Sequence, residues 1–352
     1  MENPNGVNIT SVAGKSASAT VAQIPNETVD GRTELRRNAR VAGNRAGGAV
    51  LLSQGFAEIF SVVLTAVSAV LMFSSGNSNI LSDPKLNLII NALYSPFIMF
   101  IPFLIASKFS KKPLRSMMSY SKPKKGLAVP FLFFGLGVAM IGNIVSNALG
   151  SIMTIIGIPP VYNDIDLPSG IGGFILSAFT VAVLPALFEE FAYRGVTMGL
   201  ITEKTSKSTA VFISALLFGM MHGNFVQIPF AFITGLGLAI AYVQTGSMWV
   251  PMAIHFLNNF MSVILDYATK DVSGGTMSVI SAIYFIVACS AALVSALILS
   301  RRSPDFLKVE EDPSITDVKS TLTSAMSSPC MIIVIIVLAL KAISYQVLGV
   351  LA

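Results

Sequence analysis

Apolar runs of membrane-spanning length recur along almost the whole chain. They can be read at roughly 50–73, 87–107, 127–149, 171–194, 208–223, 227–244, 248–266, 276–300 and 330–350. A helix needs about 20 predominantly apolar residues to cross the hydrocarbon core. The runs therefore predict an all-α, polytopic membrane protein of eight or nine transmembrane helices. Composition agrees: of 352 residues, 53% are hydrophobic and 12% charged, with mean hydropathy +0.74. An ordinary soluble domain carries about 25% charged residues.

The basic residues give an orientation, since cytoplasmic loops carry the excess of Lys and Arg. With the amino terminus inside, the cytoplasmic side holds the arginines of 30–49 and the Lys/Arg cluster of 108–125. It also holds Arg194, Lys204, Lys207, Arg301, Arg302, Lys308 and Lys319, and the outer loops receive only Lys85 and Lys270. This bias places the chain in the cell membrane with a cytoplasmic amino terminus. The net charge of +5 needs no nucleic-acid partner to explain it.

The layout that follows is a disordered cytoplasmic tail (1–49), amino-terminal transmembrane helices (50–170), a core (171–266), one transmembrane helix (267–300), a cytoplasmic linker (301–328) and a last transmembrane helix (329–352). The tail is polar and rich in Asn, Ser, Gly and Ala, the composition of a segment that buries too little to fold. No apolar stretch directly follows its start, so no cleavable signal peptide is expected. Asn8-Ile9-Thr10 and Asn26-Glu27-Thr28 match the glycosylation pattern, by chance on a cytoplasmic tail. Cys289 and Cys330 form neither a disulfide framework nor a metal motif. No internal repeat is evident, which counts against a transporter built from inverted halves.

An unpaired charge at the centre of a span costs at least ~2.5–3.5 kcal/mol, so a chain that keeps one usually pairs it or uses it. The spans contain Glu58, Glu189, Glu190, Arg194, His222, His255 and Lys341. Glu58 and Lys341 stand apart from the rest and read as pairing or snorkelling residues. The other five fall in three helices between 171 and 266, and His222 and His255 are the only histidines in the protein. A lone buried histidine is most often a satisfied core residue. Two of two, in the region that holds the Glu pair, point to a shared site.

Helical geometry refines the site. Glu189 and His222 lie equally far from the centre of the polar turn Thr202–Ser208, so an antiparallel hairpin brings them to similar depth. Glu190 and Arg194 are i,i+4 and can pair on one face, which leaves Glu189, about 100° round the helix, free to point elsewhere. Phe218 and His222 share a face, as do His255 and Asn259, while Asn258 points off it. One free carboxylate, two imidazoles and an amide can activate water and hold a developing oxyanion.

Taken in order, Glu189-Glu190-x-x-x-Arg194, Phe218-x-x-x-His222 and His255-x-x-x-Asn259 resemble the three motifs of the type II CAAX prenyl endopeptidase and bacteriocin-processing family, the CPBP or Abi intramembrane proteases. The likeness covers roughly 171–266. It implies a helical membrane core with a polar intramembrane cavity and hydrolysis of a peptide bond by an activated water. Position by position, Glu189 would be the general base and His222 would help to hold the water. His255 and Asn259 would stabilise the oxyanion, and Glu190, Arg194 and Phe218 would support the site. Two mechanisms stay open: a metalloprotease with Zn²⁺ on Glu189, His222 and His255, or a metal-free glutamate protease. The absence of a His-Glu-x-x-His spacing weighs against zinc. The implied partners are the lipid bilayer and a membrane-anchored peptide, prenylated or a leader. The competing readings are an ion- or proton-coupled transporter and a non-catalytic immunity or scaffold protein.

Overall fold

A computed structural model describes residues 29–75, 83–162, 166–270, 272–312 and 317–351. The two glycosylation-pattern tripeptides lie outside the described residues. All regular structure among the described residues is helical. In chain order it consists of α1 (Val29–Ser75), α2 (Pro84–Met99), α3 (Ile101–Ser107), the single turn α4 (Leu114–Met117) and α5 (Ala128–Ile155). A continuous rod then runs through α6 (Gly170–Ser177), a π turn (Ala178–Val183), α7 (Leu184–Glu190), a second π turn (Phe191–Thr197) and α8 (Met198–Thr202). The remainder is α9 (Lys207–Met221), α10 (Gln227–Thr245), α11 (Trp249–Thr269), α12 (Gly274–Arg302), α13 (Val318–Met326) and α14 (Pro329–Leu351).

Each apolar run of the sequence lies on a helix, but the expected count of eight or nine spans is not reached. Seven of the described helices are long and apolar enough to cross a membrane. The shortfall has two causes. The helix α9 has only 15 residues. Over its 21 residues α11 carries His255, Asn258, Asn259 and Asp266, which lower its hydropathy.

The amino-terminal and linker segments also differ from expectation. Helix begins at Val29, inside the segment expected to be disordered, and α1 runs for 47 residues, about 70 Å. Its first part is ordered by burial: Ala39, Ala42 and Ala46 are fully inaccessible. Gly43 lets α13 come so close that an added Cβ would sit 2.2 Å from the Ala325 carbonyl oxygen. The helix α13 itself lies in the expected linker. It is started by Asp317, whose carboxylate accepts from Ser320 N, and buries Thr321, Ser324 and Ala325.

Polar contacts group the helix ends. At one end Ser110 and Arg45 meet Glu203, Lys124 N donates to Thr245 O, and Arg302 donates to Gly126 O. The same end holds the start of α9, where the Glu311 carboxylate accepts from Lys207 N and Ser208 N at 2.7 and 2.8 Å. A carboxylate there satisfies free backbone donors and meets the positive end of the helix dipole. At the opposite end Asn224 binds Val161 O, Tyr345 binds Tyr162 O, and Lys270 binds Leu167 O. Between the two ends α5 packs against α10 and α12, α10 against α9, and α11 against the first π turn.

Candidate functional site

The rod that carries the Glu pair is widened on both sides of it, and Pro185 helps to explain why. Proline has no N–H to give to the carbonyl four residues back and crowds it sterically; for Pro185 that carbonyl belongs to Val181, inside the first π turn. The released oxygen accepts instead from Asn259 Nδ2 at 3.0 Å, which ties α11 to the rod. In the second π turn Thr197 Oγ1 donates to Ala192 O, five residues back, at 2.9 Å. Single π turns within helices are frequent at functional sites.

Glu190 and Arg194 pair as their spacing predicts, and both are fully buried. Arg194 Nη1 donates to Glu190 Oε1 at 3.1 Å and Nη2 donates to Gly235 O at 3.1 Å. The guanidinium carbon sits 4.3 Å from the centroid of the Phe218 ring, a favourable cation–π arrangement where water is excluded. The same Glu190 oxygen lies 2.8 Å from His255 Nδ1. Glu190 therefore anchors both the arginine and the histidine, and the second of these links was not readable from local spacing.

Glu189 has no such anchor. Its nearest recorded partner is His255 Nε2, 3.9 Å from Oε2, beyond hydrogen-bond length but within reach of a bridging water. His222 caps the end of α9, and its Nδ1 lies 2.9 Å from the Phe218 carbonyl oxygen. Since a carbonyl only accepts, Nδ1 carries the hydrogen and Nε2 is the free nitrogen. The turn after it fixes that geometry. Gly223 has φ +63, a left-handed conformation open to glycine at little cost, and Asn224 Oδ1 accepts from Val226 N and Gln227 N.

Glu189, Phe218, His222, His255 and Asn259 line one cavity of about 440 Å³, while Glu190 and Arg194 lie behind its wall. Asn258, expected to point off the site face, also lines it and donates Nδ2 to Asn259 Oδ1 at 3.1 Å. Lys341, expected to stand apart, is another lining residue, with Nζ 3.2 Å from Gln54 Oε1. Asn91, Tyr94 and Ser95 of α2 complete the polar lining on that side. Sequence reading missed Gln54 and the α2 group, whose only signal was polar side chains inside apolar runs. Glu58 is exposed and is not among the lining residues.

The donor set has one feature of a zinc site and lacks another. Both histidines have the outer hydrogen bond typical of metal ligands, one to a carboxylate and one to a carbonyl. Among the described residues, however, no three His, Cys, Asp or Glu side chains come close enough together to hold a metal ion. Glu189, His222 and His255 as arranged do not fit the ion.

Comparison with known proteins adds a wider likeness. Residues 171–261 match the family model described as type II CAAX prenyl endopeptidase Rce1-like. The chain is 25% identical over 169 residues to the membrane-embedded CAAX protease MroQ of Staphylococcus aureus (strain USA300), a stretch that takes in 44% of this chain and 65% of that protein. It is 28% identical over 85 residues to the putative membrane peptidase YdiL of Bacillus subtilis (strain 168), covering 24% of this chain and 35% of that one. The chain thus spans less than two thirds of the length of either relative. No solved structure matches it. The site-bearing helices, from the first π turn to Asn259, fall inside the matched segment, and over residues 171–261 this membrane protein is similar to the Rce1-like, type II CAAX prenyl endopeptidase family.

Proposed function

We propose that the protein is an intramembrane endopeptidase that hydrolyses a peptide bond of a membrane-associated substrate, with Glu189 as the general base. The observation that carries this reading is the meeting of Glu189, His222, His255 and Asn259 on one polar cavity within apolar helices. The likeness to proteins described as CAAX protease and membrane peptidase supports it. The substrate is a membrane-anchored peptide, either prenylated or a leader. The protein sits in the cell membrane with its amino terminus cytoplasmic, and residues 171–266 form the catalytic core.

In the proposed reaction Glu189 takes a proton from a water held with the help of His222 Nε2. The water oxygen bonds to the scissile carbonyl carbon, and the developing oxyanion is met by Asn259 and His255. Asn259 spends one amide hydrogen on Val181 O and keeps the other. His255 donates from Nε2 once its ring is protonated, with Nδ1 held on Glu190. The C–N bond then breaks and the proton held by Glu189 passes to the leaving amine. No step requires a metal, which accords with the poor fit of the donor set.

The test is cleavage of membrane-anchored peptides by the purified full chain in proteoliposomes, with metal content measured on the same sample. Glu189→Gln should lower the rate by at least ~10²-fold, a usual contribution of a general base, without loss of folded protein. Normal cleavage by Glu189→Gln would remove Glu189 as the base, and unchanged function of that variant in the cell without any cleavage would support the scaffold reading. One tightly bound zinc per chain, lost together with activity in His222→Ala, would overturn the metal-free mechanism.

A further inference from the structure

Lys341 is a lysine near the middle of a span, facing the candidate site. The helix α14 has 23 residues, about 34 Å, and Lys341 lies roughly 18 Å from Pro329. Its flexible four-carbon stem does not cover that distance, so snorkelling to the interface does not account for it. The stem instead runs past the backbone turn next to His222: a Cβ placed on Gly223 would lie 3.7 Å from Lys341 Cγ and 3.9 Å from Cδ. Its amine donates to Gln54, a neutral amide. Among the described residues no Asp or Glu lies within ion-pair distance of it. Lys341 is nevertheless an exposed residue on the cavity wall.

A cation held in an apolar span without a carboxylate partner is costly, and such residues mark substrate or ion pathways. Here the missing partner fits a ligand. We infer that Lys341, positioned by Gln54, is a receptor for a carboxylate of the bound peptide and selects anionic substrates at a point beside His222. The inference rests on the endopeptidase reading for the ligand being a peptide. An ammonium is a point charge with three donors; one is spent on Gln54 and the others remain for the incoming oxygens. The carboxylate can come from a peptide's own terminus or from an Asp or Glu side chain.

The experiment measures binding, so that turnover does not enter. The full chain carrying Glu189→Gln is reconstituted in liposomes and offered palmitoyl-anchored octapeptides of mixed sequence without Asp or Glu. They are made in parallel with a free terminal carboxylate, with a terminal carboxamide, and with a carboxamide plus one Glu. A carboxylate-bearing peptide should bind about tenfold tighter than the carboxamide, as for a hydrogen bond to a charged group. Preference confined to the free terminus identifies that source, and preference restored by the internal Glu identifies the side chain. The ratio should fall to about one in Lys341→Gln and survive in Lys341→Arg. Equal binding of all three peptides, no binding of any, or an equal loss for all in Lys341→Gln overturns the inference. Cleavage is scored separately in the unmodified chain. A binding ratio without cleavage removes the endopeptidase reading, whereas cleavage without the ratio removes the carboxylate receptor.

Discussion

One oxygen of Glu190 meets donors from two directions, Arg194 Nη1 at 3.1 Å and His255 Nδ1 at 2.8 Å, and this separates the roles of the adjacent glutamates. Glu190→Gln leaves Arg194 uncompensated at a fully buried position, and breaking such a pair costs about 3–5 kcal/mol. It also weakens the anchor of His255. The expected outcome is a lower unfolding temperature in detergent together with slower cleavage. Glu189→Gln should keep the unfolding temperature and lose activity. A stable, inactive Glu190→Gln beside an active Glu189→Gln would reverse the assignment. A second residue-scale prediction concerns Gly223. An alanine forced into its left-handed backbone pays about 1–2 kcal/mol, and relief of that strain would move His222 at the end of α9. Gly223→Ala should therefore cost activity beyond its stability loss, as read from kcat at a temperature where the variant is still folded. Pairings within four residues, such as Glu190–Arg194, are legible in sequence because helical periodicity sets them. The contact of His255 with Glu190 is not, because it depends on how α11 packs against the rod.

The helices themselves were largely legible, because in each apolar run length and hydropathy point to the same element. The exceptions are elements ordered by packing rather than by composition. The start of α1 reads as a polar, small-residue tail, yet Ala39, Ala42 and Ala46 are buried in a fold where α1 packs against α13 and α14. The π turns are equally hidden, since Pro185 signals a disturbed helix but not which partner takes up the released carbonyl. A prediction belongs to the clamp that holds α1 to the end of the rod. The side chain of Glu203 is 7% exposed; Ser110 Oγ donates to its Oε2 at 2.6 Å and Arg45 Nη1 at 3.3 Å. Burial opposes its ionisation, but the Ser110 hydrogen bond and the Arg45 charge outweigh it and hold its pKa below the ordinary glutamate value. A carboxylate depressed in the folded state adds stability above its unfolded pKa, about 4.3, and that stability is lost as pH falls through the folded value. Glu203→Gln should cost about 1.5–3 kcal/mol of stability at pH 7, as for hydrogen bonds to a charged group, read as a lower unfolding temperature. The gap to the unmodified chain should close on acidification below about pH 4. An unchanged gap at low pH would show that Glu203 is held by packing alone.

At the scale of the whole molecule, the contacts that group the helix ends bear on orientation. Arg45, Lys124, Arg302 and the Lys207 turn gather at one end through Glu203, Thr245, Gly126 and Glu311. Lys270 lies at the other, with the loop around Val161 and Leu167. The Lys/Arg asymmetry read along the chain therefore becomes a spatial asymmetry of the folded bundle, and the basic end is the one expected to face the cytoplasm. From that end Glu189 is roughly 20 Å along the rod and Lys341 roughly 18 Å along α14, beyond the midplane of a core about 30 Å thick if the helices stand upright. Thiol labelling in intact cells tests the orientation, after Cys289 and Cys330 have been replaced by alanine. Cysteines at Ile158 and Ser273, both exposed at the less basic end, should react with a membrane-impermeant maleimide added outside. A cysteine at the exposed Ser121 or at Ser303 should react only after permeabilisation. The opposite pattern would invert the protein in the membrane while leaving its fold intact. Mixed labelling within one end would contradict the grouping of the helix ends itself.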